Sequence, residues 1–532
     1  MNPSCFRHVW INIFLVNKGR RFWNCFATLR EFGKGRVGSL MRIFNWLYFC
    51  LSMLILCACG GGGSSTTPAP IADAEPGNDS VAGSIACGVT EQIDFVEAVV
   101  DSWYLWYRET AVVDKSEYSD PQAYLDARLA PLLAEGRERN FSYLTTITQD
   151  ETSIGSGAYI GFGFRNSPPP APPLFIADVF ESGPAWDAGV RRGMELLAVD
   201  TGSGFETLEE LASRGATSEE VFGASEVGVV RGFRLLKGSE EIEVSIAKAE
   251  LAPPALAGQP LLIESDGVTP VGYVHLRQFI DTALNPEAGY PSLRDAAALF
   301  KDAGVTDLIV DLRYNGGGLI RVADVFMDLL GGSIAEGEAS FKIQVNDQHP
   351  DFNQDTENWG IFDVQAETIS PLRVAFITSR DYTASASEMV INGLAPWLEV
   401  ALIGENTYGK QVGQFRWDMH EYIDEVGRAE CDVALRLTSF EIVNGEDMGG
   451  YHQVGLDGTG RFTLCSGVDD FSAAFGAREE SLVATALQWL EGGTCRTRAT
   501  ASVSPYKKST ADAEPNWLPG RFIPGRRDES LR

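Results

Sequence analysis

The sequence predicts an α/β fold with an inserted β-rich domain and an N-terminal helical segment, and three observations predict it. From "VGYVHLRQF" onward, strand-like apolar runs alternate with amphipathic helical patterns. Between Ser153 and Glu250 the runs are short and β-like. Ahead of both, "IDFVEAVVDSWYLWY" sets Phe95, Val99, Trp103 and Trp106 on one helical stripe. The 532 residues are enough for several domains, and 44% hydrophobic with 22% charged residues is a globular composition. A net charge of -30 argues against a nucleic-acid partner, which needs a basic face.

In chain order, Arg20, Arg21, Arg30, Lys34, Arg36 and Arg42 come with almost no acid and lead into "IFNWLYFCLSMLILCACGGGGSS". Residues 1–58 therefore read as an export leader; the apolar run from Trp46 to Ala58 is short for a transmembrane helix and ends in small residues. Met41 with Arg42 would open a compact signal, so residues 1–40 are either a mis-assigned start or a long leader. "LCAC" resembles the bacterial lipobox, in which Cys59, preceded by Ala58, would be lipidated and anchor the chain to a membrane. By the rules of that family Gly60 would send the lipoprotein to the outer membrane, facing the periplasm. The plainer reading is a secretory signal with incidental cysteines. Residues 59–84, rich in Gly, Ser and Pro, read as a tether. Of nine cysteines, Cys87, Cys431, Cys465 and Cys495 follow the tether; export favours disulfides, and four cysteines allow three pairings.

Residues 85–150 read as a helical N-terminal domain, with a second helix in "PQAYLDARLAPLLAE" and the aromatic stripe as core. In residues 153–250 the runs "AYIGFGF", "LFIADVF", "LLAVD", "FRLLKG" and "IEVSIAKAE" surround "ESGPAWDAGVRRGMEL". This segment resembles a PDZ domain: "GPAWDAGVRRGMELLAVD" is similar to that family's pattern, with Met194 where Asp is usual. "YIGFGF" then looks like its carboxylate-binding loop, in which backbone N–H groups from Gly161, Phe162, Gly163 and Phe164 hold a peptide's terminal carboxylate while the peptide adds a strand.

Residues 258–494 alternate strand and helix: Val271 to Leu276, "PSLRDAAALFKDAG", "DLIVDLR", "LRVAFIT", the helix in "DYTASASEMVINGL", and "EVALIGENTYGKQVGQ". Functional groups in such sheets gather at strand C-terminal ends. Three stretches sit there: the Gly-rich "DLRYNGGG", Ser385 after "LRVAFIT", and Lys410, twenty-five residues beyond Ser385. A serine hydroxyl needs a base to become a nucleophile, and a lysine serves only when burial makes its neutral form available. The developing oxyanion needs fixed donors, which a Gly-rich turn and a helix N-terminus supply.

Together "TASASE", "GKQVGQ" and "DLRYNGGG" resemble the carboxy-terminal processing peptidases, or tail-specific proteases, over about residues 90 to 490. The resemblance implies a crotonase/ClpP-like protease core carrying an embedded PDZ domain, and Ser-Lys catalysis without metal or cofactor. Carried over, Ser385 is the nucleophile, Lys410 the general base and Gln414 the residue that orients it. The oxyanion donors would be the Ala386 N–H and an N–H at Gly317 or Gly318. Gln411 departs from the family's G-K-G. A serine at a helix start is more often a cap, and Ser387 and Thr383 read as caps or solvent-facing. Asp311 and Arg313 read as braces of the turn, His275 as packing, and His452 as a candidate substrate contact.

Among competing schemes there is no G-x-S-x-G elbow and no H-E-x-x-H helix. The pattern "REESLVATALQWLEGG" predicts a closing helix ending near Gly492, and residues 495–532 read as a disordered basic tail. The expected protein is an exported lipoprotein serine endopeptidase that recognises accessible C-termini of protein or peptide substrates and cuts through an acyl-enzyme. The rival from another class is a non-catalytic adaptor lipoprotein that binds peptide tails with the same fold.

Overall fold

The computed structural model describes residues 87–148, 157–166, 173–265, 269–287, 289–420 and 431–495. The expectations for the leader, Cys59, the tether and the tail beyond Cys495 lie outside the described residues.

The first helix, Val89–Trp103, buries Ile93, Phe95, Val96, Val99, Val100 and Trp103. It stops before Trp106, which the helical stripe had included, because Tyr104 leaves the helix in an extended conformation and its hydroxyl donates to the buried Glu138 carboxylate (3.1 Å). The second helix, Pro121–Ala134, starts where the sequence signals it: Asp120 accepts from the Gln122 N–H (3.1 Å), and proline takes the first turn. A short strand, Tyr143–Thr145, then joins this block to a distant strand, Ala434–Asn444.

The β-rich insertion is an antiparallel sheet ordered Phe162–Asn166, Leu174–Val179, Glu195–Asp200, Val230–Lys237, Glu240–Ala247. Its short helices Leu208–Ser213 and Ser218–Phe222 open on capping boxes at Thr207 and Thr217. Ile176, Leu196, Val199, Phe233 and Leu235 form part of its own core. Phe162–Asn166 pairs within the sheet only with Leu174–Val179, so it is an edge strand.

The insertion is held to the larger domain by two arginines. The Arg277 guanidinium donates to both oxygens of Asp178 (2.5 and 2.8 Å), and Arg192 donates to Asp469 (2.6 Å) and to the Tyr314 hydroxyl (3.0 Å). At Gly193 a Cβ would fall 2.1 Å from the Phe471 carbonyl oxygen, so only glycine allows this approach.

The larger domain centres on a six-stranded sheet. Val271–His275, Asp307–Asp311, Arg373–Thr378, Glu399–Gly404 and Thr463–Ser466 run parallel in that order, with Leu261–Ile263 antiparallel at one edge. The predicted α/β class is thus observed. Helix Leu293–Asp302 opens on a reciprocal Ser292–Asp295 cap. The last helix, Ser481–Gly492, covers one face of the sheet with Leu482, Val483, Ala486, Leu487, Trp489 and Leu490.

A second, antiparallel sheet was not expected. Ala434–Asn444 pairs with Tyr143–Thr145, Ala339–Val345 and Val412–Asp418, and Trp359–Ile361 extends it. Two of its four pairings, those of Tyr143–Thr145 and Ala339–Val345 with Ala434–Asn444, join segments far apart along the chain, as with Tyr143 opposite Arg436, and local periodicity carries no register over such spans. Helix Ile320–Gly331 also went unread, because it follows the glycine run without a side-chain cap. Of the three disulfide pairings left open, the structure shows Cys87–Cys431 and Cys465–Cys495.

Candidate active site

Parallel register brings three loops to one edge of the sheet. Asp311 pairs with Ile377 and Thr378 with Gly404, so the chain leaves all three central strands on the same side. The exits are tied together: the Leu312 N–H donates to the Ile377 carbonyl (2.9 Å), the Thr378 hydroxyl to the Glu405 carbonyl (2.5 Å), and the Tyr408 N–H to the Thr383 carbonyl (2.9 Å).

Ser385 stands between strand Arg373–Thr378 and helix Ala386–Leu394 with φ 57° and ψ −117°. A positive φ in a non-glycine residue costs on the order of 1–3 kcal/mol and persists only where neighbours enforce it. Here the Ala384 N–H (3.3 Å) and the Ser387 hydroxyl (3.0 Å) both donate to the Asn315 carbonyl, while the Thr383 hydroxyl donates to the Leu312 carbonyl (2.8 Å). Ser387 and Thr383 are therefore neither caps nor solvent-facing, as the sequence reading had them. Both are buried and lash the Ser385 turn to the Gly-rich turn.

Glu388 is the residue that sequence reasoning passed over. It is buried on the first turn of the helix; one carboxylate oxygen accepts from the Gly409 N–H (2.7 Å), and the other from the Ser385 (3.0 Å) and Lys410 (2.8 Å) N–H groups. One side chain thus fixes the backbone of both Ser385 and Lys410. Burial pushes its carboxyl above the usual range, against these hydrogen bonds. The signal lay in "TASASE", since a glutamate three residues after a serine at a helix start is a capping-box pattern.

Lys410 is 1% exposed, and loss of water brings its amine down from 10.5 to about 7. Glu138 and Glu388 oppose that fall and Arg139 assists it. Nζ donates to Gln414 Oε1 (3.4 Å) and lies 4.5 Å from the centre of the Phe141 ring. Gln414 in turn donates through Nε2 to the Phe141 carbonyl (2.7 Å). Gln411, the departure from the family pattern, leaves this pocket undisturbed. Its side chain accepts from the Gly450 (2.7 Å) and Tyr451 (3.1 Å) N–H groups and donates to Glu441 (3.2 Å).

Gly317 is packed on the serine: a Cβ there would lie 2.8 Å from Ser385 Cβ and 2.9 Å from the Ala386 nitrogen, and its φ is +105°. Its N–H donates to the Asn315 side chain (2.9 Å). Among the described residues, the Ala386 and Gly318 N–H groups have no hydrogen-bond acceptor.

Asp311 and Arg313 brace the turn, as read. Arg313 is buried against Asp311 (2.7 Å), Asp469 (2.7 Å) and Glu480 (2.9 Å), and Glu480 caps the last helix through the Val483 N–H (2.9 Å). His275 packs edge-on against Phe475, its ring centre 4.3 Å away. His452 donates through Nε2 to the Arg137 carbonyl (3.0 Å) beside Trp106, so it bears on the N-terminal block. In the insertion, the Gly161 carbonyl accepts from the Phe180 N–H (2.8 Å), and Phe162 packs its ring edge-on against Phe233 (5.2 Å).

The chain is similar to several known proteins. The family described as Peptidase family S41 matches residues 270–456, and the Peptidase S41 N-terminal domain matches residues 91–143. The chain is 27% identical over 268 residues to carboxyl-terminal-processing peptidase 3, chloroplastic, of Arabidopsis thaliana, covering 48% of this chain and 47% of that one. It is 26% identical over 343 residues to the carboxyl-terminal-processing protease of Synechocystis sp., covering 63% and 67%. The chain thus spans about half the length of the Arabidopsis relative. A solved structure described as an S41 protease from Bacteroides fragilis superposes with a TM-score of 0.56 at 22% identity, over 75% of this chain and 97% of that one. That likeness is one of fold.

Proposed function

The chain belongs to the carboxy-terminal processing peptidases of family S41, and from that premise we propose that it is a serine endopeptidase acting on proteins through their C-terminal tails. The observation that carries the reading is that Glu388 ties the backbone of a strained Ser385 to that of a buried Lys410, whose burial brings its amine down to about 7.

In this reading the neutral Lys410 amine takes the Ser385 hydroxyl proton as Oγ attacks the scissile carbonyl. Gln414 holds the lysine side chain in place. Negative charge on the carbonyl oxygen falls to the Ala386 N–H and to the turn at Gly317 or Gly318; use of Gly317 requires its N–H to leave Asn315. One such donor contributes about 10²–10³ in rate. The lysine ammonium then protonates the leaving amine, giving an acyl-enzyme and a free amino terminus. Water, losing its proton to Lys410, releases the new carboxylate and restores Ser385.

The β-rich insertion acts as a PDZ domain, with the tail carboxylate at Gly161, Phe162, Gly163 and Phe164 and the peptide added to the edge strand Phe162–Asn166. The protein is an exported lipoprotein, lipidated at Cys59 and facing the periplasm from the outer membrane. Two disulfides support an oxidising compartment.

The test is hydrolysis of an unfolded protein with an apolar C-terminus, and of a matching peptide with a free or amidated C-terminus, by wild type, Ser385→Ala and Lys410→Ala. Cleavage by wild type alone, lost on amidation, is the expected result. Equal tail binding by all three without cleavage would replace the peptidase with the adaptor.

A further inference from the structure

We propose that Phe141, from the N-terminal helical block, is a positioning residue for Lys410: its ring shuts water away from Nζ and its carbonyl holds Gln414 in the rotamer that faces the amine. The proposal rests on the Ser-Lys reading and adds a residue to it from a part of the chain some 270 positions earlier.

The geometry is specific. Phe141 is fully buried, its ring centre 4.5 Å from Nζ, and its carbonyl accepts from Gln414 Nε2 (2.7 Å). Gln414 then presents Oε1 to the same Nζ (3.4 Å), so one residue bears on the amine twice. Asn140, in the left-handed region at φ 58°, turns the chain just before it.

Much of the segment's hydrogen bonding fixes that ring. The buried Glu138 carboxylate accepts from the Phe141 (2.5 Å) and Ser142 (3.1 Å) N–H groups and from the Tyr104 hydroxyl (3.1 Å). Arg139 donates to the Gly409 carbonyl (2.7 Å), next to the lysine itself, and its guanidinium lies 5.5 Å from the Phe141 ring. The wall of the base's pocket is thus built by the N-terminal block, through its last turn before strand Tyr143–Thr145.

A ring over an amine acts in two opposed ways. Its face attracts the ammonium, whereas its bulk denies the ammonium water. Desolvation moves a fully buried amine by several pH units, more than one ring face returns, so the water-excluding effect decides the sign. The charged and titratable groups that bear on Nζ from the surrounding elements are Glu138 and Arg139 on this segment, Glu388 on the serine helix, and His452. None of them changes when the ring is cut back.

The experiment measures kcat/KM for casein hydrolysis by the full-length protein from about pH 5.5 to 10, for wild type, Phe141→Leu, Phe141→Val, Phe141→Ala and Lys410→Ala. A fluorophosphonate that labels the reactive serine gives the same profile without dependence on tail binding. As volume is lost, the limb on which activity rises should move to higher pH in the order Leu, Val, Ala. At Ala it should move by about one pH unit or more, a loss of about fivefold at pH 7 that approaches about tenfold at lower pH and is recovered in alkali. Leucine, which fills the space without a ring face, should stay close to wild type.

A uniform loss of rate with the limb unmoved in Val and Ala would make Phe141 a packing residue and overturn the proposal. If Phe141→Ala fails to fold, the Leu and Val profiles decide alone. If Lys410→Ala keeps a wild-type profile, the base has been misassigned, a failure of the underlying reading that the Phe141 series by itself cannot produce.

Discussion

Replacing Glu388 by glutamine should cost both stability and rate, and the structure gives the size. The carboxylate accepts three backbone N–H groups, Gly409 on one oxygen and Ser385 and Lys410 on the other. A glutamine has one carbonyl oxygen. Set toward Ser385 and Lys410 it keeps two of these bonds and turns its NH₂ on the Gly409 N–H; set the other way it loses two. At least one buried N–H therefore goes without a partner, about 1–3 kcal/mol, and the remaining bonds lose their charge assistance.

Against this, the amide escapes the desolvation that pushes the glutamate's carboxyl upward, so the net loss should fall near 2 kcal/mol. Urea unfolding at pH 7 measures it. The rate should fall further than stability implies, because in either setting the link between Ser385 at φ 57° and the Gly409–Lys410 loop is broken or weakened, and a misplaced nucleophile costs on the order of 10²-fold. Fluorophosphonate labelling and casein hydrolysis report this without thermodynamic inference. A Glu388→Gln protein within about 0.5 kcal/mol and twofold of wild type would show that Glu388 does not hold the two loops together, and would refute the reasoning.

Two further changes follow from the same geometry. Lys410→Met should abolish cleavage yet make the fold more stable at pH 7. The native amine titrates at about 7 against 10.5 unfolded, so between those values the unfolded chain holds a proton that the folded one has lost, and wild-type stability rises with pH across that window. Unfolding of the two proteins from pH 6 to 10 should show the wild-type slope and its absence in the methionine variant. Gly317→Ala should reduce kcat/KM by more than about 10²-fold. Its Cβ would meet Ser385 Cβ at 2.8 Å and the Ala384 oxygen at 2.9 Å from a backbone at φ +105°, and activity within tenfold of wild type would show that the turn yields freely.

Much of this was legible in the residues. Alternation of "DLIVDLR", "LRVAFIT" and "EVALIGENTYGK" with amphipathic helices gave the α/β class, because strands buried on both faces read as continuous apolar runs. Ser385, Lys410 and Gln414 entered as candidates through the motifs that carry the family resemblance, and the capping pattern would have pointed to Glu388 as well.

What the sequence by itself determined is therefore local: which segments are strand or helix, where helices start, and which residue types stand at strand ends. Only the tertiary structure decided the rest. It put Phe141 against Lys410, joined Tyr143–Thr145 to Ala434–Asn444, paired Cys87 with Cys431, and showed Gln411 clamping Gly450 and Tyr451 rather than the base. The physical reason is common to all four. A titration, a register or a disulfide depends on what surrounds a group in space, and the surroundings here come from residues tens to hundreds of positions away, whose approach no local period records.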